Sequence, residues 1–191
     1  MKQETISNCD ALKKPDSVFE ADERVRLFSG DIQRNFDLFY SSINSIKLSD
    51  QVPVEVQVHF ETAKNTLLYS FYAYRMSTVG LLYGFASLEK GLNIRLGAKK
   101  YRGLKDKMRR AVRSGHITLD DIPFSFRSIA TEPDKQLDEI LHNFCDFRNR
   151  LAHDPDYLNI LWQSPKSLAA LGDLLNKLFG ECEPTQSDSG F

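Results

Sequence analysis

The stretch that most constrains this chain begins at Val54. Its helical pattern passes through Phe60, Ala63, Leu67, Leu68, Phe71, Tyr74 and Thr78 into Leu82, Phe85, Leu88 and Leu92 without a breaker. Val54, Val56 and Val58 alternate and would by themselves suit a short strand, but the run that follows has the helical period, and Pro53 can open a helix at its first turn. A run this long exceeds the usual globular helix, so a bend or break is expected near Gly80. Gly80 and Gly84 mark close helix packing or a kink, and Gly97 is the expected terminus. No repeat or strand-rich region competes with this commitment, so the class is all-α, a bundle of about five to six helices.

The remaining segments fit around that run. Ile32, Phe36, Phe39, Ile43 and Ile46 predict an amphipathic helix from Asp31 to about Lys47, with Asp31 as a first-turn acid. Before it, from Asp16 to Phe28, Val18, Phe19, Val25 and Leu27 are loosely spaced and suggest a helix ending at Gly30. Leu104, Met108, Ala111 and Val112 predict a helix from Gly103 to Ser114, stopped by Gly115. The stretch from His116 to Asp134 carries Pro123 and Pro133 and reads as irregular, with Phe124, Phe126 and Ile129 pinning it to the core. A closing helix is expected from Pro165 to Leu178, with Leu168, Leu171, Leu175 and Leu178 inward and Gly180 as its stop. The division expected is a flexible tail at 1–16, a single domain at 17–180 and a disordered tail at 181–191.

Composition excludes several classes. The formal net charge of -1 is incompatible with a uniformly basic, DNA-coating protein, so any nucleic-acid contact must be a local patch. Cys9, Cys145 and Cys182 are widely spaced, with no CxxC or Cys/His cluster, so neither a zinc site nor a disulfide framework is indicated and no metal or cofactor is expected. No signal-like or membrane-length apolar stretch is present, and a cytoplasmic setting is expected.

The chemistry-bearing stretch lies on the helix before the last. Leu137, Ile140, Phe144, Phe147 and Leu151 form one continuous inward stripe, and Pro155 forces Asp154 out of helical geometry, leaving His153 in the final turn. A helical wheel then puts His142, Asp146, Asn149 and His153 together on another face, with Arg148 between that face and the stripe. Two readings are open: a solvated face with a His142–Asp146 contact, or the edge of a polar groove.

At Arg148-Asn149-Arg150-Leu151-Ala152-His153 the chain resembles the HEPN superfamily, whose motif is an arginine followed by a polar residue and, four to six positions on, a histidine. The surroundings are similar too: a long helix through Phe85-Ala86-Ser87-Leu88-Glu89, a basic helix at Leu104-Lys105-Asp106-Lys107-Met108, the motif near the end of the next helix, and one closing helix. The resemblance covers about Val54 to Leu178. It implies a helical bundle that dimerises so that both motifs face one cleft and, in many members, a metal-independent endoribonuclease in which the ribose 2′-hydroxyl attacks the adjacent phosphate and leaves a cyclic phosphate. Carried onto this chain, His153 is the general base or acid, Arg148 holds the phosphate and its developing charge, and Asn149 orients one of them. A toxin–antitoxin or defence role, with an antitoxin or nucleotidyltransferase partner, belongs to the same implication. The alternative within the fold is a non-catalytic RNA-binding or protein-interaction module.

One segment supplies a possible RNA track. Arg95, Lys99, Lys100, Arg102, Lys105, Lys107, Arg109, Arg110 and Arg113 face a single Asp106, with Tyr101 available to stack on a base. Lys99, Lys100, Arg102, Lys105, Arg109 and Arg110 are the candidate RNA-binding residues; a solvated helix face is the competing reading. His59 and His116 stand alone without ligand spacing, Cys145 beside the inward stripe suits a core position, and Glu89 is a helix-face acid that could pair with a basic residue near the motif.

Overall fold

The long run breaks at residues 70–75, earlier than Gly80, and the break is held from outside the run. The computed structural model describes residues 13–27, 30–97, 103–123, 126, 132–154 and 161–180. Within them α3 spans Val54–Tyr69 and α4 spans Met76–Leu96, joined by tight turns such as Ser70 N–H to the Leu67 carbonyl at 3.1 Å and Met76 N–H to the Ala73 carbonyl at 2.8 Å. Such a break strands backbone groups that helix would have paired. Asp22, only 2% exposed, takes them: its N–H donates to the Phe71 carbonyl at 2.9 Å and its Oδ2 accepts from the Tyr74 N–H at 2.9 Å. Arg24 grips the same carboxylate at 2.9 and 3.0 Å and lies 4.9 Å over the Tyr74 ring.

Gly80 therefore serves packing instead of bending. A Cβ there would meet the Leu67 backbone nitrogen at 2.9 Å, and one at Gly84 would meet the Leu168 Cδ1 at 2.7 Å. Gly80 lets the α3 backbone approach α4, and Gly84 makes room for the leucine side chains of α7. Consequently α4 is covered on several sides, touching α3, α5, α6 and α7.

The other elements follow from local chemistry. α1 is only Glu23–Leu27, shorter than the loose apolar spacing from Asp16 suggested, because residues 15–19 form turns. α2, Ile32–Asn44, starts on Asp31 as its N-cap, which accepts from the Arg34 N–H at 3.0 Å. α5, Gly103–Arg113, ends on Gly115 at φ 70°, where the Gly115 and His116 N–H groups return to the Val112 and Ala111 carbonyls. α6 spans Pro133–His153, with Pro133 opening the helix, and α7 spans Ser164–Phe179. Short 3₁₀ turns at Leu119–Asp121 and Leu161–Gln163 fill the connections.

Among the described residues seven α-helices pack as an all-α bundle and no strand occurs. The count exceeds the expected five to six because the long run splits into α3 and α4. Phe39, Phe60, Phe71, Phe85 and Phe144 are among the largest fully buried side chains, each stabilising the fold by about 1.5–3 kcal/mol relative to exposure. The tail segments 1–12 and 181–191, with Phe124, Ile129 and Pro155, lie outside the described residues.

Candidate functional site

The inward stripe of α6 is as the spacing predicts: Leu137, Ile140, Phe144 and Leu151 are buried and Phe147 half-buried. Leu141 joins them. Burying that stripe leaves His142, Asp146, Asn149 and His153 exposed along the opposite side. The helix stops where expected, with Asp154 extended at φ -98° and ψ 103° as its cap, so His153 occupies the last turn.

Arg148 does not simply point to solvent. Its Nε lies 3.8 Å from Glu89 Oε1 on α4, and its Nη1 donates to the Asn149 amide oxygen at 3.4 Å. Glu89 Oε2 in turn lies 3.8 Å from Lys107 Nζ on α5. One carboxylate thus ties two cations from two helices, and the cluster keeps an excess of positive charge beside the motif. Lys107 is only 8% exposed, so its ammonium depends on that carboxylate far more than a surface lysine would. Glu89 is therefore both things the sequence allowed, a helix-face acid and a partner near the motif. Lys107 was hidden, because a lysine in a basic helix looks solvated until α4 is laid against it.

Cys145 sits half-buried in the same neighbourhood. Burial, with help from the Glu89 charge, pushes its thiol up to about 11, against the opposing pull of Lys105 and Arg148.

The basic segment is only partly a free surface. Lys99, Lys100 and Arg102, with Tyr101, lie outside the described residues. Arg109 is a strut: it donates to Asp138 of α6 at 2.7 Å and reaches Asp106 at 3.4 Å, and its hydrogen bond holds the Asp138 carboxyl below the usual range. Arg110 is exposed and Lys105 half-buried.

Of the two lone histidines, His59 is held by a hydrogen bond inside the bundle. His59 Nδ1 is 3.1 Å from the Ser87 hydroxyl, which itself donates to the Tyr83 carbonyl at 2.8 Å, so the imidazole is the donor. His116 has a buried Nδ1 with no hydrogen-bond partner among the described residues, and burial together with Arg95 and Arg110 lowers its pKa. Among the described residues no three His, Cys, Asp or Glu side chains gather as a metal site would need, and no helix there is long and apolar enough to cross a membrane. Comparison of the chain with protein-family models, with curated proteins and with solved structures finds no match.

Proposed function

We propose that this chain is a metal-independent endoribonuclease of HEPN type. The observation that carries the reading is the setting of Arg148: Glu89 and Asn149 fix its guanidinium at the edge of an exposed polar face that ends on His153. A guanidinium stays charged and suits a phosphate, whereas an imidazole can take and return a proton near neutral pH. In the proposed step the ribose 2′-oxygen forms a bond to the adjacent phosphorus as the bond from phosphorus to the 5′-oxygen breaks. The 2′-hydroxyl proton goes to a histidine, and the departing 5′-oxygen is protonated by a second general acid. The products are a 2′,3′-cyclic phosphate and a 5′-hydroxyl, and Arg148 offsets the charge that builds on the phosphate.

Arg148 and His153 are about 140° apart around the α6 axis, which favours a homodimer in which each site draws on two chains. A toxin or defence role in the cytoplasm, restrained by an antitoxin or paired with a nucleotidyltransferase, is part of the same proposal. A second reading, a non-catalytic RNA-binding or protein-interaction module, draws support from the same Glu89 contact, since a structural ion pair would look alike.

RNA cleavage in EDTA separates them. Wild type is expected to yield cyclic-phosphate ends and His153→Ala to lose at least about a hundredfold in rate while staying folded. A folded wild type that cleaves no RNA leaves the module reading.

A further inference from the structure

A cleft of about 450 Å³ opens between α4, α6 and α7, with Pro123 and Phe126 also on its wall, within the roughly 300–1,000 Å³ typical of small-ligand sites. Its aromatic wall is a closed circuit of phenylalanines. Phe85 meets Phe144 at 5.1 Å and Phe147 at 5.9 Å, and Phe126 meets the same two rings at 5.3 and 5.5 Å. The rings are inclined by 53–86°, so the wall offers both faces and edges to a planar guest. Phe126 and Phe147 are only half-buried. Two large aromatic side chains left partly open at a cleft are surface that a guest could cover.

The opposite rim is polar. Lys166 is the only charged residue lining the cleft among the described residues, with no acid beside it there. Ser167 donates to the Gln163 carbonyl at 3.3 Å, which leaves its oxygen able to accept. An aromatic wall facing one cation and a hydroxyl suits a flat ring with an anionic attachment; an alkyl chain would gain nothing from Lys166, and a cationic ring would be repelled by it. Phe147 and Arg148 are consecutive on α6, one turned to this cleft and the other to Glu89. The cleft and Arg148 are thus carried by neighbouring positions of one helix, about 100° apart around its axis.

We propose that this cleft is a base-binding subsite, in which an unstacked base of single-stranded RNA lies against Phe126 and Phe147 while a backbone phosphate meets Lys166. The subsite rests on the ribonuclease reading for its strand and gives that reading a means of choosing where to bind. It also places a specificity determinant away from the residues that would do the chemistry.

The test uses short fluorescein-labelled 2′-fluoro RNAs, which keep bases and phosphates but lack the attacking hydroxyl, and abasic chains with the same number of phosphates. Fluorescence anisotropy on the full chain is expected to show at least roughly tenfold tighter binding of a base-bearing strand over the abasic one. Ala170→Phe, which fills the cleft from α7, and Phe126→Leu should each remove most of that preference, with folding checked by thermal melting. Lys166→Ala, at an exposed position, should weaken the base-bearing strand several-fold and lower its salt dependence by about one phosphate. Equal binding of base-bearing and abasic strands overturns the subsite, as does a preference unchanged in folded Ala170→Phe. An aromatic peptide that binds the cleft where base-bearing RNA does not would overturn it in favour of a protein partner. Because these probes cannot be cleaved, the result stands apart from the ribonuclease reading, which cleavage of ribose RNA by wild type and His153→Ala decides.

Discussion

Glu89 carries the most consequence of any single residue, because Lys107 and Arg148 both lean on it at 3.8 Å. Glu89→Gln keeps the shape and removes the charge, stranding the Lys107 ammonium in a site where it is 8% exposed. The expected loss is about 1–3 kcal/mol in urea unfolding. Adding Lys107→Met should recover most of that stability but leave Arg148 without its partner, so RNA cleavage should stay low in the double variant. Recovery of cleavage together with stability would make Glu89 a purely structural residue. Asp22 gives a pH signature. Burial opposes its ionisation, but hydrogen bonds from the Arg24 side chain and from the Tyr74 and Arg24 backbones prevail and hold its carboxyl below the ordinary value of 3.8. A depressed pKa stabilises the fold above the ordinary carboxylate range, and that stability fades as pH falls through it. Wild type should therefore lose stability from about pH 5 downward, with a smaller acid-side slope in Asp22→Asn measured by urea unfolding at stepped pH.

At the scale of elements, α4 is the post on which the others are hung, and its glycines set the spacing. Gly80→Ala would force a methyl against the Leu67 backbone, whereas Gly84→Ala meets only the ends of the Leu168 and Leu171 side chains. Alanine is the better helix former by about 1 kcal/mol, yet Gly80→Ala should destabilise by about 1–3 kcal/mol and by more than Gly84→Ala. Thermal melting of the two variants checks the order. Elements were the most legible part of the sequence, since periodic apolar positions located α2, α5, α6 and α7 and placed His153 in a last turn. The break was misplaced for a physical reason: Gly80 looked like the flexible point, but the groups that stabilise an interruption belong to Asp22 and Arg24, far off in sequence. Long-range polar partners leave no periodic trace, and the Glu89–Lys107 and Arg109–Asp138 links were invisible for the same cause.

For the whole molecule, the bundle gathers α4, α5 and α6 so that one carboxylate orients Arg148 beside the exposed face ending on His153. Sequence supplied the motif and its helix, while the bundle supplied the cation pair and the aromatic cleft. The central claim is that the proposed ribonuclease site is shared between chains, because Arg148 and His153 diverge around one helix. Mixing Arg148→Ala with His153→Ala protein, each inactive alone, and exchanging subunits under mild denaturation tests it most directly through RNA cleavage in EDTA. A shared site predicts that the mixture regains a substantial part of wild-type cleavage, since a mixed dimer holds one intact Arg148 opposite one intact His153. A mixture of exchanged, folded dimers as inactive as its two components would contradict it.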